Sequence, residues 1–230
     1  MAFITIRRKT LIAVLSIVLC AVVVAATAAT VIAATRTDNG ITIVIDAGHG
    51  GADGGVVGAT TGTKESDVNL GISKYLMKHF KEAGYNVVLT RSDAGAVSSG
   101  LKYVKREDMK ARKSIVESAA PDVLISVHCN SYPVASVKGA QVFYSSGASA
   151  GKNIAETVQS YFNDILNDKP RNAAVGDYYM LNCSSYPSIL CECGFLSNQT
   201  EENKLITASY QEKVAYTIFS AVNSVFGERA

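Results

Sequence analysis

Apolar residues in this chain fall into blocks of two kinds. Short runs rich in β-branched residues occur at 41–45, 85–90, 122–127, 140–144 and 188–191, too short for helices and suited to buried strands. Between them, apolar positions recur every three or four residues. Val68, Ile72, Tyr75, Leu76, Phe80 and Ala83 form one such stripe, and Tyr210, Val214, Ile218, Val222 and Phe226 another. Ser66 is expected to cap the first helix and Gly84 to stop it. Further helices are expected up to about Ala119 and over about 152–166, with a polar loop at 167–177 and a short strand at 178–181. Strands alternating with helices cross over right-handed and pair in parallel. The pattern therefore predicts an α/β fold: a single domain with a mostly parallel central sheet flanked by helices on both faces.

The first 35 residues break the pattern. Arg7, Arg8 and Lys9 precede an uncharged, mostly apolar run of 25 residues at 10–34. At about 1.5 Å per residue, a helix of that length crosses a bilayer. Ala26-Thr27-Ala28 resembles a signal-peptidase site, so 1–35 reads as a signal peptide or an N-terminal membrane anchor, with the length favouring the anchor. Residues 36–40 form a polar linker, and 41–230 the folded domain. The protein is expected to be exported across the cytoplasmic membrane and then anchored or secreted.

Charge excludes one class of partner. The net charge of +2 includes the three basic residues of the export segment; without them, 19 basic residues face 20 acidic ones. No basic surface for nucleic acid is implied. Cys129, Cys183, Cys191 and Cys193 lie in the folded part without a CxxC pair, and they read as small buried residues.

Three strands deliver residues with chemistry. The run 41–45 leads into DAGHGGADGG (46–55), whose glycines let the backbone turn sharply and present His49 at a strand end. The run 122–127 delivers His128, and 188–191 delivers Glu192. Ligands gather at the carboxyl edge of open α/β sheets. Two histidines and an acid there, with Glu65 nearby, are the parts of a catalytic zinc site with three protein ligands and a fourth position for water. Each residue also has an ordinary use: His49 or His128 as a hydrogen-bonding group, Glu65 as a solvated acid beside a helix start. Glu192 differs, because an acid among Leu190, Cys191, Cys193 and Phe195 costs several kcal/mol unless partnered. His79 lies on the apolar stripe of its helix, about 20 Å from Glu65, and reads as a core or boundary residue. HExxH is absent, which excludes a helix-borne peptidase site.

Four motifs, DAGHGG (46–51), KESDVNL (64–70), SVHCN (126–130) and CECGFLSN (191–198), together resemble the zinc-dependent N-acetylmuramoyl-L-alanine amidases of the amidase-3 type. The resemblance runs over nearly all of residues 41–227. It implies that His49, Glu65 and His128 hold Zn2+ and that Glu192 is the catalytic acid/base. It also implies peptidoglycan as substrate, cut between the lactyl group of muramic acid and L-alanine. A bare catalytic domain behind an export signal looks most like the germination-specific amidases of spore cortex, where freed muramic acid forms a lactam. Arg91 and Asn69 also match and are read as structural. The 33 residues between Tyr144 and Tyr178 have room for one ordinary helix, which makes an inserted plug helix, as some relatives carry, unexpected. An activating protein partner is expected instead.

Three rival readings stay in view. A cysteine-type hydrolase would use Cys129, Cys191 or Cys193 and leave Glu65 and the glycine loop idle. A non-catalytic, peptidoglycan-binding module would have lost a ligand, and none is missing. A dinucleotide-binding domain fails because Asp53 stands where the fingerprint needs its third glycine, in an exported chain.

Overall fold

The computed structural model describes residues 14–22, 39–98 and 102–227. The chain divides into residues 1–38 and residues 39–230. Of the first part, residues 14–22 are helical and exposed. The expected export segment lies largely outside the described residues, and among those described no helix is long and apolar enough to cross a membrane.

Residues 39–230 hold a six-stranded sheet in the order β2-β1-β3-β6-β4-β5. The strands are β1 (Thr42–Ala47), β2 (Asn86–Leu89), β3 (Val123–Asn130), β4 (Gln141–Tyr144), β5 (Ala174–Val175) and β6 (Ser188–Phe195). All neighbouring pairs are parallel except β4 with β6. The helices are α1 (Glu65–Glu82), α2 (Lys105–Ala119), α3 (Ser149–Ile165), α4 (Tyr179–Asn182), α5 (Gln199–Leu205) and α6 (Ala208–Gly227). The mostly parallel α/β architecture expected from the pattern is the one found.

Strand parity divides the core. Ile43 and Ile45 of β1, with Val123, Ile125 and Val127 of β3, face the stripe Val68, Ile72, Leu76 and Phe80 of α1 and its neighbours in α3 and α6. Each such fully buried side chain contributes about 1.5–3 kcal/mol. Val44 and Leu124 point the other way, to a smaller cluster with Val116 of α2 and Met180 of α4. Consecutive helices α1 and α2 thus cover opposite faces, and a crevice opens between the carboxyl ends of β1 and β3, where α/β sheets bind ligands.

Several local expectations are corrected. Residues 178–181 were expected to form a strand and instead contribute to the short helix α4, while β5 lies inside the expected polar loop. A short aromatic and apolar run satisfies both periods, so length and tertiary packing decide. Ser66 is not the N-cap: α1 begins at Glu65, Lys64 takes the cap position without a side-chain bond, and the Ser66 amide donates to the Gly54 carbonyl. β6 does not stop at Cys191 but continues to Phe195, through Gly194 at φ 145° and past a register shift opposite His128 and Asn130. Between Tyr144 and Tyr178 there is one helix, α3.

Candidate active site

His49 occupies the turn after β1 with φ 61°, a left-handed conformation that costs a non-glycine residue about 1–2 kcal/mol. Arg112 holds the turn there. Its guanidinium donates to the His49 carbonyl at 2.6 Å and the Ala47 carbonyl at 2.8 Å. It is itself buried between Asp46 at 2.6 Å and Asp108 at 2.8 Å. Burial would lower the Arg112 pKa, but the two carboxylates reverse the sign and raise it. Arg91 adds bonds to the carbonyls of Ala47, Gly48 and Ser66, the structural part expected of it.

Glu65, the first residue of α1, is carried under His49 by the glycine loop. Its Oε2 accepts from the Val56 amide at 2.9 Å, and its Oε1 accepts from the Cys129 amide and Asn69 Nδ2, each at 3.1 Å. Asn69 therefore grips the carboxylate itself. Two glycines make the approach possible: a Cβ on Gly55 would lie 2.4 Å from Glu65 Oε2, and one on Gly48 2.4 Å from the His128 ring.

His128 and Glu192 face each other in register on β3 and β6. By parity both lie on the α2 face, with Leu124, Ser126 and Leu190. His128 Nδ1 is 2.9 Å and His49 Nε2 3.2 Å from the Glu65 carboxylate. The imidazoles meet edge to face, with centroids 5.0 Å apart. One ligand atom from each of His49, Glu65 and His128 lies within 4.8 Å of the others, so the three could hold a metal ion. Two imidazole nitrogens and one carboxylate oxygen suit a borderline dication. The structure thus brings together all four residues that the sequence singled out.

The electrostatics separate the two acids. Burial would raise the Glu65 pKa, yet bonds and charge from His128 and His49 outweigh it and hold the carboxyl far below the usual range. Glu192 has no such bonds. Burial pushes its pKa up to about 7, with His128 opposing and Glu65 reinforcing the shift, and its Oε2 is buried without a hydrogen-bond partner. Two carboxyls with pKa values driven apart can divide the work, one as a fixed anion and the other as a proton carrier. A cavity of about 450 Å³ opens over them, walled by Tyr103, Lys105, Tyr178 and Tyr179.

The cysteines lie on the wrong side. Cys129, Cys191 and Cys193 point into the main core with exposures of 0–2%, unbonded to one another. Burial raises all three thiol pKa values, so none is poised as a nucleophile. His79 meets Tyr216 edge to face and stacks on Phe219, away from the site.

Sequence reasoning missed residues that hold these side chains and the loop in place. Asp53 accepts from His49 Nδ1 at 3.0 Å, and its spacing four residues after His49 was the available signal. Arg112 carried none. Glu202, 0% exposed, accepts from the Thr60 amide at 2.8 Å and from the Thr61 amide and hydroxyl at 2.7 and 2.6 Å. The glycine loop, expected to be ordered by the site, is therefore pinned from α5 as well.

A parallel-sheet crevice holding two histidines and two carboxylates of opposed pKa fits the metal-assisted hydrolases. Comparison with known proteins narrows this to a family: residues 43–224 match N-acetylmuramoyl-L-alanine amidase of the amidase-3 type, and the chain belongs to it. It is 33% identical over 196 residues to the germination-specific N-acetylmuramoyl-L-alanine amidase of Bacillus subtilis, covering 83% of this chain and 82% of that one. An uncharacterized Bacillus subtilis protein, YqiI, is 33% identical over 191 residues, covering 82% and 86% of the two chains. Among solved structures, the CwlD amidase from Clostridioides difficile, in complex with the GerS lipoprotein, matches with a TM-score of 0.77 at 31% identity over 81% of this chain and 98% of that one.

Proposed function

We propose that this amidase is zinc-dependent, with His49, Glu65 and His128 as the metal ligands and Glu192 as the acid/base. The observation that carries the reading is the convergence of the three ligand atoms within 4.8 Å beside a buried carboxyl whose Oε2 lacks a partner. Held there by His49, Glu65 and His128, zinc would polarise the scissile carbonyl and acidify water. The protein's own part is proton management. Ionised Glu192 takes a proton from the attacking water as its oxygen adds to the lactyl carbonyl carbon. When the carbon–nitrogen bond breaks, Glu192 returns that proton to the amine of L-alanine. A carboxyl titrating near neutrality suits both halves of the cycle. Glu65, held ionised by two histidines, keeps its charge throughout. Metal analysis of the purified protein tests the ligand set: one equivalent of zinc is expected, lost in His49→Ala, Glu65→Ala and His128→Ala, and full retention in any of them refutes it.

The substrate setting belongs to the same proposal. Similarity to the germination-specific amidase over most of both chains supports action on spore cortex, and the basic and apolar pattern of residues 1–35 supports export by a signal or anchor, with 36–40 as linker and 41–230 as the catalytic domain. Muropeptide analysis of cortex from a strain lacking the gene is expected to find muramic lactam absent; unchanged lactam removes this assignment. A protein partner is included because the similar solved amidase was determined in complex with a lipoprotein. Full turnover by the protein alone would dispense with the partner.

A further inference from the structure

The two histidines of the cluster are not held alike. Among the described residues, His49 is the one whose second ring nitrogen meets a carboxylate away from the cluster, that of Asp53. Asp53 Oδ1 faces His49 Nδ1 at 3.0 Å and also accepts from the Gly55 amide at 3.1 Å. Its other oxygen, Oδ2, accepts from the Tyr103 hydroxyl at 3.1 Å. Tyr103 lies 50 residues on, just before α2, and is half-buried. Asp53 is itself fixed by the paired bridge between Gly50 and Asp53, whose amides and carbonyls exchange bonds of 2.8 and 3.1 Å.

We infer that Asp53 and Tyr103 are positioning residues for the metal site: together they fix the tautomer and ring orientation of His49 and so set how tightly the site holds its ion. This rests on the zinc reading above. The chemistry is that of an acceptor on one nitrogen deciding the state of the other. With Nδ1–H donated to Asp53, Nε2 is left as the lone-pair nitrogen, and Nε2 is the atom facing Glu65. The ring must be held because His49 occupies an unfavourable left-handed backbone conformation, in a loop whose glycines supply little stiffness of their own. Arg112 fixes its backbone carbonyl and Asp53 fixes its ring. Tyr103 in turn keeps the Asp53 carboxylate from rotating into the open cavity that both residues line. The relay ties a ligand on the β1 loop to the start of α2, across the mouth of the site.

The test is zinc affinity, read by competition with a chromophoric chelator on the full-length protein, beside the melting temperature of the metal-free form. Asp53→Asn keeps the size and an oxygen for the Gly55 amide but removes the charge, and Tyr103→Phe removes only the hydroxyl. Loss of a carboxylate partner behind a ligating histidine weakens metal binding by about 10–100-fold, the loss expected for Asp53→Asn. Tyr103→Phe is expected to weaken it by about 3–10-fold, with metal-free melting of both variants close to wild type. Asp53→Glu, which restores charge without the fit, should recover part of the loss. Wild-type affinity in Asp53→Asn overturns the inference while leaving the ligand set intact. An affinity loss matched by an equal loss of metal-free stability overturns it in favour of a purely structural role. If wild type itself binds no zinc, both the inference and the ligand assignment fall.

Discussion

Replacing Gly55 with alanine would put a methyl group inside the ligand cluster without touching a ligand. The added Cβ would lie 2.4 Å from Glu65 Oε2, 2.7 Å from His49 Cδ2 and 2.9 Å from Glu65 Cβ, all well inside van der Waals contact. Two costs combine, because Gly55 also sits at φ 67°. The left-handed backbone costs an alanine about 1–2 kcal/mol, and overpacking costs about 1–3 kcal/mol. A less flexible unfolded chain returns about 0.4–1 kcal/mol. Gly62 separates the two costs: its φ is 73°, yet a Cβ there would meet nothing within 4 Å. The stability difference between Gly55→Ala and Gly62→Ala, measured by urea unfolding of the metal-free proteins, should therefore equal the overlap alone, about 1–3 kcal/mol. Zinc affinity should fall at least about tenfold in Gly55→Ala, since Glu65 or His49 must move, and stay unchanged in Gly62→Ala. Gly48→Ala, whose Cβ would press on the His128 ring at 2.4–2.8 Å, should resemble Gly55→Ala in affinity. Equal stability and equal zinc affinity for the Gly55 and Gly62 variants would refute the packing account of the site.

Glu202→Ala leaves three donors of residues 60 and 61 without their acceptor; a stability loss of at least about 2 kcal/mol and early proteolytic cutting within 58–63 are expected. Serine at Cys129, Cys191 or Cys193 should leave hydrolysis near wild type while lowering the melting temperature, since each hydroxyl enters an apolar core; lost turnover with an intact fold would restore the thiol-hydrolase reading. Glu192 links stability to pH. Its pKa is raised from 4.5 to about 7 in the folded protein, so the folded state binds a proton that the unfolded chain has released. That contribution is complete below about pH 4.5 and is lost as pH rises to about 7. The metal-free wild type should therefore lose up to about 3 kcal/mol relative to Glu192→Gln across this window. Parallel stability curves for the two proteins would contradict the buried, unpaired state of Glu192.

The fold was legible where one local signal sufficed. The β-branched runs of β1 and β3 and the stripes of α1 and α6 state their own period, and strand–helix alternation carries the parallel sheet. Strand ends were not legible, because β6 persists beyond Cys191 only through Gly194 and a register shift against β3. His49, His128 and Glu192 could be named because each stands out locally, beside glycines or at the end of an apolar run, whereas Glu65, among polar neighbours, was pointed to as a ligand by the resemblance of its motif. What holds them could not. Arg112 reaches the His49 carbonyl from 63 residues away, and Glu202 pins Thr61 from 141. Such bonds have no spacing that a linear pattern can register. Strand parity does register in the chain: it puts His128 and Glu192 on one face and their neighbouring cysteines on the other.

The central claim is that amide cleavage depends on a metal held by His49, Glu65 and His128, with Glu192 moving the proton. The most direct measurement is the appearance of new N-terminal alanine when the protein is incubated with peptidoglycan before and after metal removal. The account predicts release that stops with chelation, returns with zinc, and is absent in Glu192→Gln even though that variant still binds the metal. Release that persists in the metal-free protein or in Glu192→Gln would contradict it.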